Sequence, residues 1–260
     1  MKTSRIFALA LIFFLSGCKV ISFFPLYSSD TMVSFDEVQG VYRTNKKRHY
    51  IIHPPQVQEA LKRGGLAADS SLTVSEELVL PRPLVQLLSE LGMLNTNRVF
   101  AELPAEKIGK AYLVITQSRL DEPLPEYFKD ELQNRAYLGN ILEFDILVFC
   151  RLGDKLYADS HPLALMEMGV SGAYRYTPVH TFAQVQLNAD TLRLKFMKND
   201  FLEELFEKNR IRIEHVKRED DGTTMLTAST RDLQKFVMKY GEDEKAFTYG
   251  SDLIRETPWK

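Results

Sequence analysis

Cysteine and tryptophan are nearly absent from this chain, with two of the first and one of the second in 260 residues. Two cysteines exclude the small secreted scaffold held by a disulfide framework, which needs a larger, even set. Neither sign of charge is in excess: 33 lysines and arginines stand against 35 acids, a formal −2. A general nucleic-acid binder would show a basic balance, so no nucleic-acid partner is expected. Long apolar runs are lacking as well. The longest, Ile6 to Leu15, is about half of the roughly 20 residues that a membrane-spanning helix requires. There is no Gly-x-Ser-x-Gly elbow, no Cys-x-x-Cys, no phosphate-binding glycine loop and no His-Glu-x-x-His, so no common catalytic signature stands in the chain. What is present, 45% hydrophobic and 26% charged residues, is the balance of a globular protein stabilised by a core.

The N-terminus is the most informative stretch. Lys2 and Arg5 precede the apolar run, and Leu15-Ser16-Gly17-Cys18 ends it. Basic head, short apolar run and small residues are the parts of a secretory signal, in that order. Leu-Ser-Gly-Cys resembles the lipobox of bacterial lipoproteins; the alternative is an ordinary signal with an incidental cysteine. The resemblance implies a diacylglyceryl group on the Cys18 sulfur, cleavage just before it and acylation of the new amine. Residues 1–17 are then a signal peptide, the mature chain starts at Cys18, and the membrane is its first partner through lipid on that residue. Two or three acyl chains hold a protein almost permanently, at about 0.8 kcal/mol per buried methylene. Lys19 in place of the Asp that retains enterobacterial lipoproteins at the inner membrane implies outward transfer, to the outer membrane facing the periplasm. Cys150 would be the sole remaining thiol, so no intramolecular disulfide is expected.

Residues 18–34 read as a lipidated tether, an apolar one, whose Phe23 and Phe24 are expected to pack on the domain rather than dip into acyl chains. Residues 35–260 read as a single β-rich domain. Phe35 to Tyr42, a short turn leading into Gly40-Val41-Tyr42, resembles the start of a lipocalin-like barrel, with Tyr42 where that family has Trp. Leu84, Leu87, Leu88 and Leu91 recur at helical spacing, as do Val57, Ala60 and Leu61, which predicts a helical insertion at about 54–95. Strands are predicted at Arg98 to Glu102 and Ala111 to Thr116. The clearest strand is Ile141 to Arg151, with Leu142, Phe144, Ile146, Val148 and Cys150 on one face and Glu143, Asp145, Leu147, Phe149 and Arg151 on the other. Hairpins are predicted at His180 to Phe196 and Ile211 to Ala228, and helices after Asp200 and Ser229 with Glu203 and Asp232 completing capping boxes. Val179-His180-Thr181-Phe182, Thr191-Leu192-Arg193-Leu194 and Leu226-Thr227-Ala228 resemble segments of an uncharacterised lipocalin-like group of envelope lipoproteins. That resemblance implies the architecture and brings no activity. The expected fold is mainly β (α+β): an antiparallel lipocalin-like barrel or strongly curved sheet with a helical insertion and C-terminal helices.

Candidate chemistry is sparse, and neither a cofactor nor a metal is expected. Among His49, His53, His161, His180 and His215 only the first two are close in sequence. Four apart on a strand, they would stand about 13 Å apart, too far for one ion. Cys150 belongs to an apolar face, where a thiol is inert. Glu143 and Asp145 read as the wet side of a sheet. The function expected is therefore a lipid-anchored, non-enzymatic binding or interaction module whose partner is an apolar small molecule, a lipid or an envelope protein. An envelope hydrolase using loop carboxylates and a structural accessory subunit of an envelope complex are the alternatives. An enclosed cavity of several hundred Å³ would favour the small molecule, a filled barrel the protein partner. An exposed apolar patch over Leu84 to Leu91 would favour the accessory subunit.

Overall fold

The computed structural model describes residues 20–64, 71–75, 78–90, 93–94, 109–118, 142–162, 179–217 and 224–256. Two short strands, β1 (Ile21–Ser22) and β2 (Met32–Val33), precede a 3-10 turn at Asp36–Val38 and the hairpin β3 (Gly40–Arg43) and β4 (Arg48–Ile52). An insertion follows: α1 (Pro54–Gly64), the hairpin β5 (Ser71–Ser75) and β6 (Leu78–Pro81), and α2 (Arg82–Glu90). Then come β7 (Ala111–Gln117), β8 (Leu142–Leu152), β9 (Lys155–Pro162), β10 (His180–Asn188) and β11 (Thr191–Met197). The chain ends with α3 (Asn199–Glu207), β12 (His215–Lys217), β13 (Thr224–Leu226), α4 (Thr230–Tyr240) and β14 (Phe247–Arg255).

Eight of these strands close into an antiparallel barrel, the lipocalin-like alternative of the two expected. Strands β3, β4, β7, β8, β9, β10, β11 and β14 follow one another around it, and β14 pairs back onto β3. Closure leaves none of the eight as an open edge. The 3-10 turn before Gly40 shuts one end. There Tyr42 donates its hydroxyl proton to Val38 O at 2.9 Å. The Arg255 guanidinium lies 5.1 Å from the Tyr42 ring centroid and donates to the Tyr42 hydroxyl and to the Gln39 and Glu37 carbonyls. The last strand is thus pinned across the first.

Strand alternation divides the protein into three cores. Tyr42, Ile51, Tyr112, Leu147, Phe149, Ala158, Val185, Leu192 and Leu253, one or two from each barrel strand, pack together inside the lumen with Val38 and Phe35. Leu142, Phe144, Ile146 and Val148 face outward, beneath Val57, Leu80, Leu84 and Leu88 of the insertion. Cys150, Tyr157 and Phe182, also outward, lie beneath Leu202 and Leu205 of α3 and Leu233 and Val237 of α4. The all-apolar face of β8 is therefore the barrel's outside, and the mixed face, Glu143 and Asp145 included, turns toward its inside. A single wet face does not exist because helices cover the outer surface here.

Several elements differ from the sequence expectation. The insertion is not wholly helical: β5 and β6 form a separate two-stranded sheet between its helices. No capping box forms at α3, where Lys198 is the N-cap and Glu203 instead accepts from Asn199 Nδ2 at 3.0 Å. At α4 Ser229 does accept from the Asp232 amide, at 3.3 Å. The sheet begins at Ile21, well ahead of the boundary expected at residue 35. Strand β1 joins β10 to β13, and β2 extends the edge of β8 where β7 runs out. Val20, Ile21, Leu26 and Met32 are buried by this segment, while Phe24 remains 46% exposed. The predicted strand at Arg98 to Glu102 and the lipidation residue Cys18 lie outside the described residues.

Candidate functional site

Beneath the N-terminal segment, on the outer face of the barrel, three polar side chains meet in an otherwise apolar layer. Asp159 and His161 are two residues apart on β9 and so share a face. His180 opens β10 beside them, in a register that pairs Phe182 with Asp159 and Thr181 with Ser160. The three are buried, Asp159 completely, and one donor atom from each lies within 4.8 Å of the others. His180 Nδ1 is 2.7 Å from Asp159 Oδ1. The two share one hydrogen bond, with a proton between them. The Leu26 amide donates to Asp159 Oδ2 at 2.6 Å, which fastens the N-terminal segment to the barrel.

Electrostatics separates the two histidines. Burial pushes His161 down to about 4, the nearby His180 adds to the fall and Asp159 opposes it. His161 is thus a neutral imidazole at physiological pH, its ring 4.9 Å from that of His180 between centroids. Its Nδ1 is buried and has no hydrogen-bond partner among the described residues. Tyr27 stands edge-on to the His180 ring at 6.2 Å. Ser22, fully buried, pairs in register with His180 across β1 and β10. A carboxylate with two imidazoles is a ligand set for a first-row divalent metal, and a carboxylate oriented on an imidazole is also an ordinary hydrogen-bonded support.

The sites considered from sequence fall elsewhere. Cys150 is fully buried opposite Met32, and burial, with Asp159 adding to it, pushes its thiol well above the usual range. It is not a nucleophile. Glu143 is held by Lys47 at 3.5 Å. His49 bonds Thr116 and His53 bonds the Gly109 carbonyl, so the two serve separate places. Leu84 and Leu88 are buried by the insertion's own packing, which leaves them unavailable as an exposed patch. Surface clefts among the described residues include two. One, about 320 Å³, lies between α4 and residues 210–214; the other, about 230 Å³, sits at the turn from β10 to β11 beside Glu37. Neither is a chamber inside the barrel.

Proximity along the chain singles out only His49 and His53 as metal ligands. The signal was Asp159-x-His161, a spacing that puts two ligands on one face of a strand, with His180 at the head of the next strand. Only the β9–β10 register unites them. Compared with known proteins, the chain matches no family model, no curated sequence and no solved structure, so its chemistry is read from its own geometry.

Proposed function

We propose that this is a lipid-anchored envelope protein, held by acyl chains on Cys18 at the outer membrane and facing the periplasm, and that it acts as a non-enzymatic interaction module for a neighbouring envelope protein. The observation that carries the second half is the lumen. Side chains from all eight barrel strands pack together in it, with aromatic contacts such as Tyr112 to Phe149 at 5.7 Å between centroids. A small barrel filled in this way is a core rather than a ligand chamber. Binding then falls to the outer surface. There β12, exposed along its length, is the last strand of the path β10-β1-β13-β12 among the described residues, and a sheet edge is the feature used when a partner adds a strand.

The buried N-terminal segment supports close anchoring. Cys18 and Ile21 are three residues apart, at most about 11 Å along an extended chain, so lipid on Cys18 would seat the barrel against the bilayer rather than let it range. The test is Cys18→Ser. The variant is expected to accumulate as a longer precursor that takes up no radiolabelled palmitate, while the native protein sediments with outer membranes. Normal processing and membrane retention of the variant would overturn the anchor. Saturable displacement of a fluorescent fatty acid from the barrel would overturn the filled-lumen argument.

A further inference from the structure

We propose that Asp159, His161 and His180 form a binding site for a zinc-class divalent cation that ties the N-terminal segment to the barrel wall. In it the ion occupies the place of the proton between His180 Nδ1 and Asp159 Oδ1. These two atoms are 2.7 Å apart. Two metal–ligand bonds of about 2.1 Å with that bite subtend an angle of roughly 80°, close to the cis angle of a five- or six-coordinate ion. The imidazole then binds through Nδ1 and keeps its proton on Nε2. The third ligand, His161, has a donor atom within 4.8 Å of the other two, so its ring moves in to reach an ion whose bonds are about 2.1 Å long. Waters fill the remaining positions of the shell.

Hydrogen bonding alone does not account for the cluster. It satisfies both oxygens of Asp159 and one nitrogen of His180, but leaves His161 Nδ1 buried with no partner among the described residues. Buried polar atoms in native proteins are nearly always paired, and an unpaired one points to an ion or water. The ligand set is specific in kind: two imidazoles and one carboxylate suit zinc, cobalt or iron(II), whereas calcium and magnesium ask for oxygen. The ligands come from two adjacent strands of a closed barrel and the carboxylate also holds the Leu26 amide. A bound ion therefore stiffens the junction at which the N-terminal segment leaves the sheet.

The experiment uses the full chain without a histidine tag, purified in detergent, stripped with EDTA and titrated with ZnCl₂ and CoCl₂. One equivalent per chain is expected, with a visible Co²⁺ absorption band and a melting temperature that rises on loading. His161→Ala is expected to weaken binding at least 100-fold while the apo circular dichroism stays native, since that ring makes no hydrogen bond to the carboxylate. His215→Ala, on the exposed strand β12, is the control and should bind as the parent does. If His161→Ala fails to fold, His161→Gln, close in volume, takes its place. Failure of the native chain to take up one equivalent would overturn the site, as would uptake by the His161 variant equal to the parent's. The site does not depend on lipidation: Cys18→Ser protein should load equally, so failure of the anchor and failure of the metal site are distinguishable.

Discussion

His49 carries the clearest pH dependence at the scale of one residue. It stands between Tyr42 and Thr116 in the cross-strand register, on the lumen side. Its Nδ1 is 3.0 Å from Thr116 Oγ1, while its Nε2 is buried without a partner among the described residues. Burial, joined by the positive charge of Lys47, lowers its pKa to about 4. The unfolded chain, with a histidine near 6.5, binds the extra proton first as pH falls. The contribution of the neutral ring is therefore complete above about pH 6.5 and lost progressively as pH falls through 4, by up to about 3 kcal/mol. Urea midpoints measured at steps from pH 7.5 to 4.5 should fall for the parent more steeply than for His49→Gln. Parallel slopes would show that His49 titrates alike in the two states. The same burial acts in the opposite sense on Cys150, whose charged form is the deprotonated one.

At the scale of elements, α4 shows what a pattern reading can and cannot reach. Its apolar stripe, its Ser229 cap and its stop at Gly241 are all legible in sequence. The reason for the glycine is not. Gly241 has a right-handed φ of −63°, so no left-handed cap demands it. A Cβ there would stand 2.5 Å from the Tyr157 hydroxyl of β9, and its carbonyl accepts from Gln184 Nε2 on β10 at 3.1 Å. The glycine lets the helix end sit directly on the barrel wall. Gly241→Ala distinguishes the two accounts by sign: close approach predicts a loss of about 1–3 kcal/mol, whereas backbone entropy alone predicts a gain of about 0.4–1 kcal/mol. Denaturant unfolding of that variant decides. The barrel-closing strand β14 escaped pattern reading for a related reason. A register shift opposite Leu194 and Lys195 falls at Gly250, which breaks the two-residue alternation, and Ser251 and Asp252 follow where apolar residues would mark a strand. The candidate site escaped because β9 and β10 are separated by residues 163–178, so no local window holds all three side chains.

At the scale of the molecule, the segment expected to be a tether is part of the core. Four buried apolar side chains, Val20, Ile21, Leu26 and Met32, each contribute about 1.5–3 kcal/mol. Their sum is comparable with the whole stability of a domain, about 5–15 kcal/mol. Deleting residues 20–33 is expected to leave the chain unable to fold, as aggregation and loss of near-ultraviolet circular dichroism would report. A soluble, native-like deletion product would restore the tether. The pairing of β14 with β3 has a further consequence, in time rather than in space. The first barrel hairpin emerges with its outer edge unpaired and keeps it so until some two hundred residues later, when the final strand arrives. Such non-local closure makes folding slow, and an open strand edge is a template for the wrong partner. A chain built this way depends, between synthesis and closure, on being held apart from its own copies.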